Sequence, residues 1–179
     1  PHTGAMKAAR DILKQGKIVI DLSADFRLKS VRTYEQWYGV KHSQGSLLRE
    51  AVYGLPEIYR EQIRGARLIA NPGCYPTGAI LGLFPLIREE LIDLHTISID
   101  AKSGVSGAGK KLTLATQFSE VNENFNAYKV NRHQHMPEIK QVLEDVASHS
   151  EVDFTFVPHL LPLTRGLLST IYARKKTGV

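Results

Sequence analysis

Three stretches of the sequence predict an α/β sheet that passes into an α+β layer with a mixed or antiparallel sheet. A helical run up to Lys14 leads into Lys17-Ile18-Val19-Ile20-Asp21, a β-branched strand of the kind found in parallel sheets. Arg67-Leu68-Ile69-Ala70 reads as a short buried strand, Pro72-Gly73 as a turn, and Thr77 to Ile92 as a largely apolar helix. Thr96-Ile97-Ser98-Ile99-Asp100-Ala101 alternates apolar and polar residues, so a half-exposed strand of a second, antiparallel layer is expected there.

At 179 residues, 42% hydrophobic and 23% charged, the composition is that of a globular protein and excludes disordered and collagen-like classes. No apolar run approaches the ~20 residues of a membrane span, so no membrane association is expected. One cysteine cannot form an internal disulfide, which suits a reducing cytoplasm. The net charge of +5 is spread along the chain apart from Arg174-Lys175-Lys176. Nucleic-acid binding would need a basic stripe with interleaved aromatics, and the sequence has none. The chain opens on Pro1-His2 without an initiator methionine and stops at Gly178-Val179 just after a strand pattern, so a fragment of a longer protein is expected.

Taken in order, Thr3 is placed to cap a first helix, along which Met6, Ala9, Ile12 and Leu13 fall at helical spacing before Gly16. The strand at Lys17–Asp21 is expected to be buried on both faces. Asp21-Leu22-Ser23-Ala24-Asp25-Phe26-Arg27 then sits at its C-terminal end, where such sheets bind ligands. That loop is either a hydrogen-bonded network of turn residues or a set of substrate contacts. Val31 to Val40, with Tyr34, Trp37 and Tyr38, reads as a short helix or turn. Tyr53-Gly54-Leu55-Pro56-Glu57 leads into a helix reaching Arg64. Residues 1–73 thus resemble the C-terminal part of a dinucleotide-binding, Rossmann-like domain whose Gly-x-Gly-x-x-Gly turn is not in the sequence.

Residues 74–179 carry the remaining chemistry. Cys74, at a strand-to-helix turn, would feel the helix dipole and unpaired N–H groups, or would simply be a small buried hydrophobe. Pro85 should kink the helix that follows. Lys102 to Lys111 contains Ser103, Gly104, Ser106 and Gly107 in a loop that suits close backbone approach to a phosphate or cofactor, or a plain solvated turn. It does not match Walker A spacing. Asn122 to Val130 is polar and reads as irregular or a short strand. His133 and His135 stand just before a helix opening on Pro137-Glu138 and running to about Ala147; they could move protons, bind metal or pack. Zinc-like spacing with further ligands is absent, so no metal site is expected. Phe154-Thr155-Phe156-Val157 and Leu167 to Ala173 read as strands joined by a turn that holds Arg165, placed to fork onto an anion or to lie exposed.

Six segments together carry a family resemblance: DLSADFR at Asp21, YGLPE at Tyr53, NPGCYPT at Asn71, SGVSGAG at Ser103, HQHMPEI at His133 and PHLLPLTRG at Pro158. In combination they resemble the N-acetyl-γ-glutamyl-phosphate reductases of arginine biosynthesis, within the semialdehyde dehydrogenase family, from end to end of the chain. A lysine-pathway reductase acting on carrier-bound aminoadipyl phosphate resembles the same motifs. A non-catalytic dimerisation module is the alternative from another class.

The resemblance implies a catalytic and dimerisation domain over 74–179, a homodimer or homotetramer, and NADP (as NADPH) as cofactor. It implies Cys74 as the nucleophile toward a small acyl phosphate. His135 is then assigned to proton transfer and His133 to substrate contact. Ser103, Gly104, Ser106 and Gly107 would lie beside the cofactor, and Arg165, Asn71 and Ser23 beside the substrate. The missing glycine fingerprint implies that these 179 residues alone bind NADPH poorly and are inactive.

Overall fold

The computed structural model describes residues 3–178, which divide into two compact units on either side of the Gly73–Cys74 boundary. The first is built on α1 (Gly4–Lys14), β1 (Val19–Asp21), α2 (Val31–Tyr38), α3 (Gly45–Glu50), β2 (Val52–Tyr53), α4 (Pro56–Arg64) and β3 (Leu68–Ala70). Its three strands are all parallel in the order β1-β3-β2, so each return passes through helix, as parallel pairing requires. Met6 and Ala9 of α1, Tyr34 of α2, Leu47 and Leu48 of α3 and Leu68 of β3 meet in its core.

Thr3 does not cap α1 through its side chain; it takes a left-handed conformation at φ 77°. The cap comes from Asp25, a fully buried carboxylate that accepts the N–H of Thr3 at 2.9 Å and of Met6 at 3.2 Å. A carboxylate there serves orphan donors and the helix dipole together. The Tyr34 hydroxyl donates to the same carboxylate at 2.9 Å. Burial, then Asp25, pushes the Tyr34 phenol above its ordinary range.

β1 differs from its expected burial. Ile18 and Ile20 are 65% and 63% exposed and Leu22 is exposed beside them, because only the face bearing Val19 and Asp21 is packed and β1 is an edge strand. Gly54 is a glycine for want of room: a Cβ there would lie 2.9 Å from Ile69 Cγ2 and 3.2 Å from the Ala70 carbonyl.

The second unit begins at α5 (Cys74–Arg88), followed by β4 (Ile97–Gly104), 3-10 turns at Val105–Ala108 and Leu114–Thr116, α6 (Phe118–Val121), β5 (Asn126–Ala127), α7 (Met136–Val146), β6 (Phe154–Leu161) and β7 (Leu167–Tyr172). Its sheet runs β5-β6-β4-β7 and is mixed, not antiparallel: β4 pairs with β6 in parallel over eight positions and with β7 antiparallel over six. The crossover through α7 between β4 and β6 accounts for the parallel pair.

On β4, Ile97, Ile99, Ala101 and Ser103 are buried, and Ser98, Asp100 and Lys102 take the other face. On that second face Lys102 pairs with Asp100, which also lies 3.1 Å from His159 Nδ1. α5 packs against α7 and β7. Two glycines on α5 permit its close seat on β7: a Cβ on Gly82 would be 2.9 Å from Ile171 Cδ1, and one on Gly78 would touch Ser169 and Leu167. α5 runs through Pro85 without a break, since Pro85 lies on its exposed face, where solvent can serve the unpaired Leu81 carbonyl.

Candidate active site

Cys74 is the first residue of α5, exposed, with no disulfide partner. The helix start there follows from Pro72-Gly73, which cannot extend β3, and from Pro76 within the first turn. Tyr75, the next residue, turns inward and is buried.

Tyr75 meets both histidines. Its ring centroid lies 5.5 Å from that of His133 at 89° and 6.1 Å from that of His135 at 69°. The two imidazoles are 4.7 Å apart. Across the chain, the Tyr75 hydroxyl contacts that of Tyr128 at 3.1 Å and donates to the His159 carbonyl at 3.3 Å. Burial raises both phenols, and the nearby Cys74 charge adds to each. Both therefore keep their protons and act as hydrogen-bond donors.

The two histidines are not equivalent. His133 is 4% exposed, and burial, aided by the Lys129 charge, pushes its imidazole down to about 4. Its Nδ1 accepts the His135 N–H at 3.1 Å, which fixes the proton of the neutral ring on Nε2. His133 is thus a neutral donor at neutral pH. His135 is half-buried at the N-cap of α7.

The glycine-rich segment lies at the end of β4, because β6 and β7 flank that strand and the turn joining them, 162–166, must cross over it. The N–H groups of Gly104, Val105 and Ser106 donate to the carbonyls of Gly166, Leu163 and Thr164. Gly104 lets the Leu163–Arg165 backbone pass over it, and Gly107 lies against the Ser103 hydroxyl. The close backbone approach read from these glycines is therefore to the chain's own turn. Buried Ser103 donates to the Gly104 carbonyl at 2.9 Å. Ser106 and Gly107 remain exposed, as does Arg165 at the crest of the turn. A cavity of about 430 Å³ opens beside it, with Val105, Ser106, Phe118, Val121, Leu163 and Thr164 among its walls.

Ser23 and Asn71 belong to the first unit. Ser23 donates to Asp21 at 3.0 Å and accepts the Asp25 N–H at 3.1 Å; Arg27 donates to the Asn71 and Leu22 carbonyls. The Asn71 amide donates to the Pro72 carbonyl at 3.2 Å. Asp21–Arg27 is thus a hydrogen-bonded network at the strand end. The sequence reading missed the Tyr75–Tyr128 pair: 53 residues separate the two, and no local pattern joins them. Among the described residues, no group of three or more His, Cys, Asp or Glu is placed to hold a metal.

Comparison with known proteins agrees with this layout. Residues 74–179 match the family model described as semialdehyde dehydrogenase, dimerisation domain, and residues 1–66 that described as semialdehyde dehydrogenase, NAD binding domain. The chain is 60% identical over 174 residues to the N-acetyl-gamma-glutamyl-phosphate reductase of Pelotomaculum thermopropionicum, covering 97% of this chain and 50% of that protein. It is 52% identical over 179 residues to the protein of that name from Magnetococcus marinus, covering 100% and 51%. The chain spans about half the length of the curated relatives it matches.

Among solved structures, aspartate semialdehyde dehydrogenase II from Vibrio cholerae superimposes with a TM-score of 0.67 at 15% identity, covering 98% of this chain and 53% of that one. Aspartate semialdehyde dehydrogenase with NADP from Candida albicans gives 0.58 at 15% identity, covering 96% and 47%. These structures share the fold, and the match over the whole of the second unit shows that the chain belongs to the semialdehyde dehydrogenase family.

Proposed function

We propose that this chain is the catalytic part of an NADPH-dependent reductase that converts N-acetyl-γ-glutamyl phosphate to N-acetylglutamate semialdehyde and phosphate, a step of arginine biosynthesis. The observation that carries the reading is an exposed thiol on the first residue of α5 whose neighbour, Tyr75, packs against two histidines. Relatives bearing the reductase name, at 60% and 52% identity, support it.

The Cys74 thiolate attacks the acyl carbon; the new C–S bond forms as the C–O bond to phosphate breaks, and phosphate leaves with the electron pair. The resulting thioester is electrophilic enough to be reduced, as a carboxylate is not. NADPH, when bound, supplies the hydride that takes the thioester to the aldehyde level. N–H groups at the start of α5 face the oxyanion of each tetrahedral adduct. His135 moves the proton as the adduct collapses and the Cys74 sulfur departs. Neutral His133 offers Nε2–H to the substrate, and exposed Arg165 binds an anionic group of it.

For the cofactor, the residues present fit one side of a nicotinamide better than a pyrophosphate. Ser106 and Gly107 are open, whereas the N–H groups of 104–106 are engaged by the crossing turn. Ser103 and Gly104 would then shape that wall from beneath. Asn71 holds the strand end that precedes the thiol, and Ser23 belongs to the loop network of the same unit.

We assign the protein to the cytoplasm and to a homodimer or homotetramer built through the second unit. The dimerisation-domain match and the exposed Leu168 and Tyr172 on β7 support the assembly. The deciding experiment assays the full-length protein with N-acetylglutamyl phosphate and with carrier-bound aminoadipyl phosphate. NADPH-dependent aldehyde formation with release of phosphate from the first alone is expected; turnover of only the second moves the assignment to lysine synthesis, and turnover of neither overturns it.

A further inference from the structure

Consecutive residues at the start of α5 point opposite ways: Cys74 is exposed and Tyr75 is buried. The inward ring is enclosed by His133, His135 and Phe156, the last with centroids 5.5 Å apart at 78°. Such edge-on contacts depend on angle as well as distance, because the ring quadrupole is directional. His133 also meets Phe156 at 5.6 Å and Tyr128 at 5.7 Å, so its plane is boxed on several sides.

The far end of Tyr75 is pinned as well. A carbonyl can only accept, so the Tyr75 proton goes to His159 O, and the 3.1 Å contact with Tyr128 has Tyr128 donating. One phenol therefore ties β6 to the segment before α7, while its ring packs against the imidazoles and its backbone adjoins the residue that carries the thiol.

We propose that Tyr75 is a positioning residue for the imidazole pair, its anchored ring fixing the orientation of His133 and His135 relative to the first turn of α5. A phenylalanine could fill the same space, but it would leave the Tyr128 hydroxyl and the His159 carbonyl without their partner. The hydroxyl anchor separates positioning from simple packing. The inference rests on the reading of Cys74 and His135 as the reacting groups.

The test uses the full-length protein with Tyr75→Phe, Tyr128→Phe and Tyr75→Leu. Near-UV circular dichroism monitors the fold, and imidazole nitrogen NMR reports tautomer and titration of His133 and His135. For Tyr75→Phe, loss of one buried hydrogen-bonded anchor predicts a fall in kcat of about fivefold, with KM unchanged and the His133 nitrogen shifts displaced. Tyr128→Phe should give a smaller change of the same kind. Tyr75→Leu should also move the His133 titration toward that of a free imidazole. Unchanged imidazole shifts and an unchanged kcat in both phenylalanine variants would overturn the proposal. The NMR arm keeps the two readings apart: a wild-type protein inert toward acyl phosphates, whose His133 signals still move in Tyr75→Phe, sinks the reductase reading and sustains the positioning. Unmoved signals in an active enzyme do the reverse.

Discussion

Gly104 lies under the backbone of Arg165: a Cβ at 104 would stand 2.8 Å from the Arg165 amide nitrogen and 2.9 Å from the Leu163 carbonyl oxygen. Backbone cannot swing aside as a side-chain tip can, so Gly104→Ala must lift the crossing turn. The expected cost is about 1–3 kcal/mol of overpacking strain, read as a lower urea midpoint. Because the turn carries Arg165, the full-length variant should also show a raised KM for the acyl phosphate with a smaller change in kcat. An unaltered midpoint and KM would show that the turn is free to move.

Asp25 should be the most costly polar position in the first unit. Asp25→Ala orphans the N–H of Thr3 and Met6 and the Tyr34 hydroxyl in a buried place. About 3 kcal/mol of lost stability is expected, on the scale of a buried charged hydrogen-bond network. Denaturant unfolding followed by tryptophan fluorescence measures it through Trp37, the only tryptophan.

His133 predicts an acid-side loss of stability. Its folded value, about 4, lies below the unfolded 6.5, so the unfolded chain binds the extra proton between these limits. The stabilisation is complete above about pH 6.5 and disappears as pH falls toward 4, with an upper bound on the order of 3 kcal/mol. Urea midpoints from pH 4 to 7 should slope upward in wild type and flatten in His133→Gln. Equal slopes in the two would remove His133 as the cause.

Much of this fold could be read from spacing, because local chemistry decides it. The alternation of Thr96–Ala101 survives as the burial pattern of β4, and Pro56 does open α4. Strand direction was a different matter: alternation reports a half-buried strand and says nothing of whether its neighbour runs parallel. Burial of β1 was misread because a β-branched run has the same appearance whether one face or two are covered. Cys74, His133 and His135 stood out by residue type alone. Their connection through Tyr75 and Tyr128 did not, since it spans residues joined only by the folded sheet.

Cys74 should be both accessible and indispensable. Iodoacetamide should add once to the native chain, at its single cysteine, without denaturant. In the full-length protein Cys74→Ser should lower kcat by about a thousandfold or more, the scale set by removing a covalent nucleophile. A serine variant of near-normal turnover would end the thioester mechanism.

The 179-residue chain by itself should show no NADPH-dependent reduction. The sequence has no Gly-x-Gly-x-x-Gly turn, and the loop donors at 104–106 are already engaged. Measurable turnover by this chain would require a cofactor site made of other residues.

The glycines at 78 and 82 give α5 the character of a lever. Its tip is Cys74, and its fulcrum is the contact with Ser169 and Ile171 on β7. A helix is stiff along its axis, so a methyl group inserted at Gly82 tilts the whole rod and displaces the sulfur about two turns away. The aim of the thiol is thus set by the absence of two side chains on the face of α5 turned to β7.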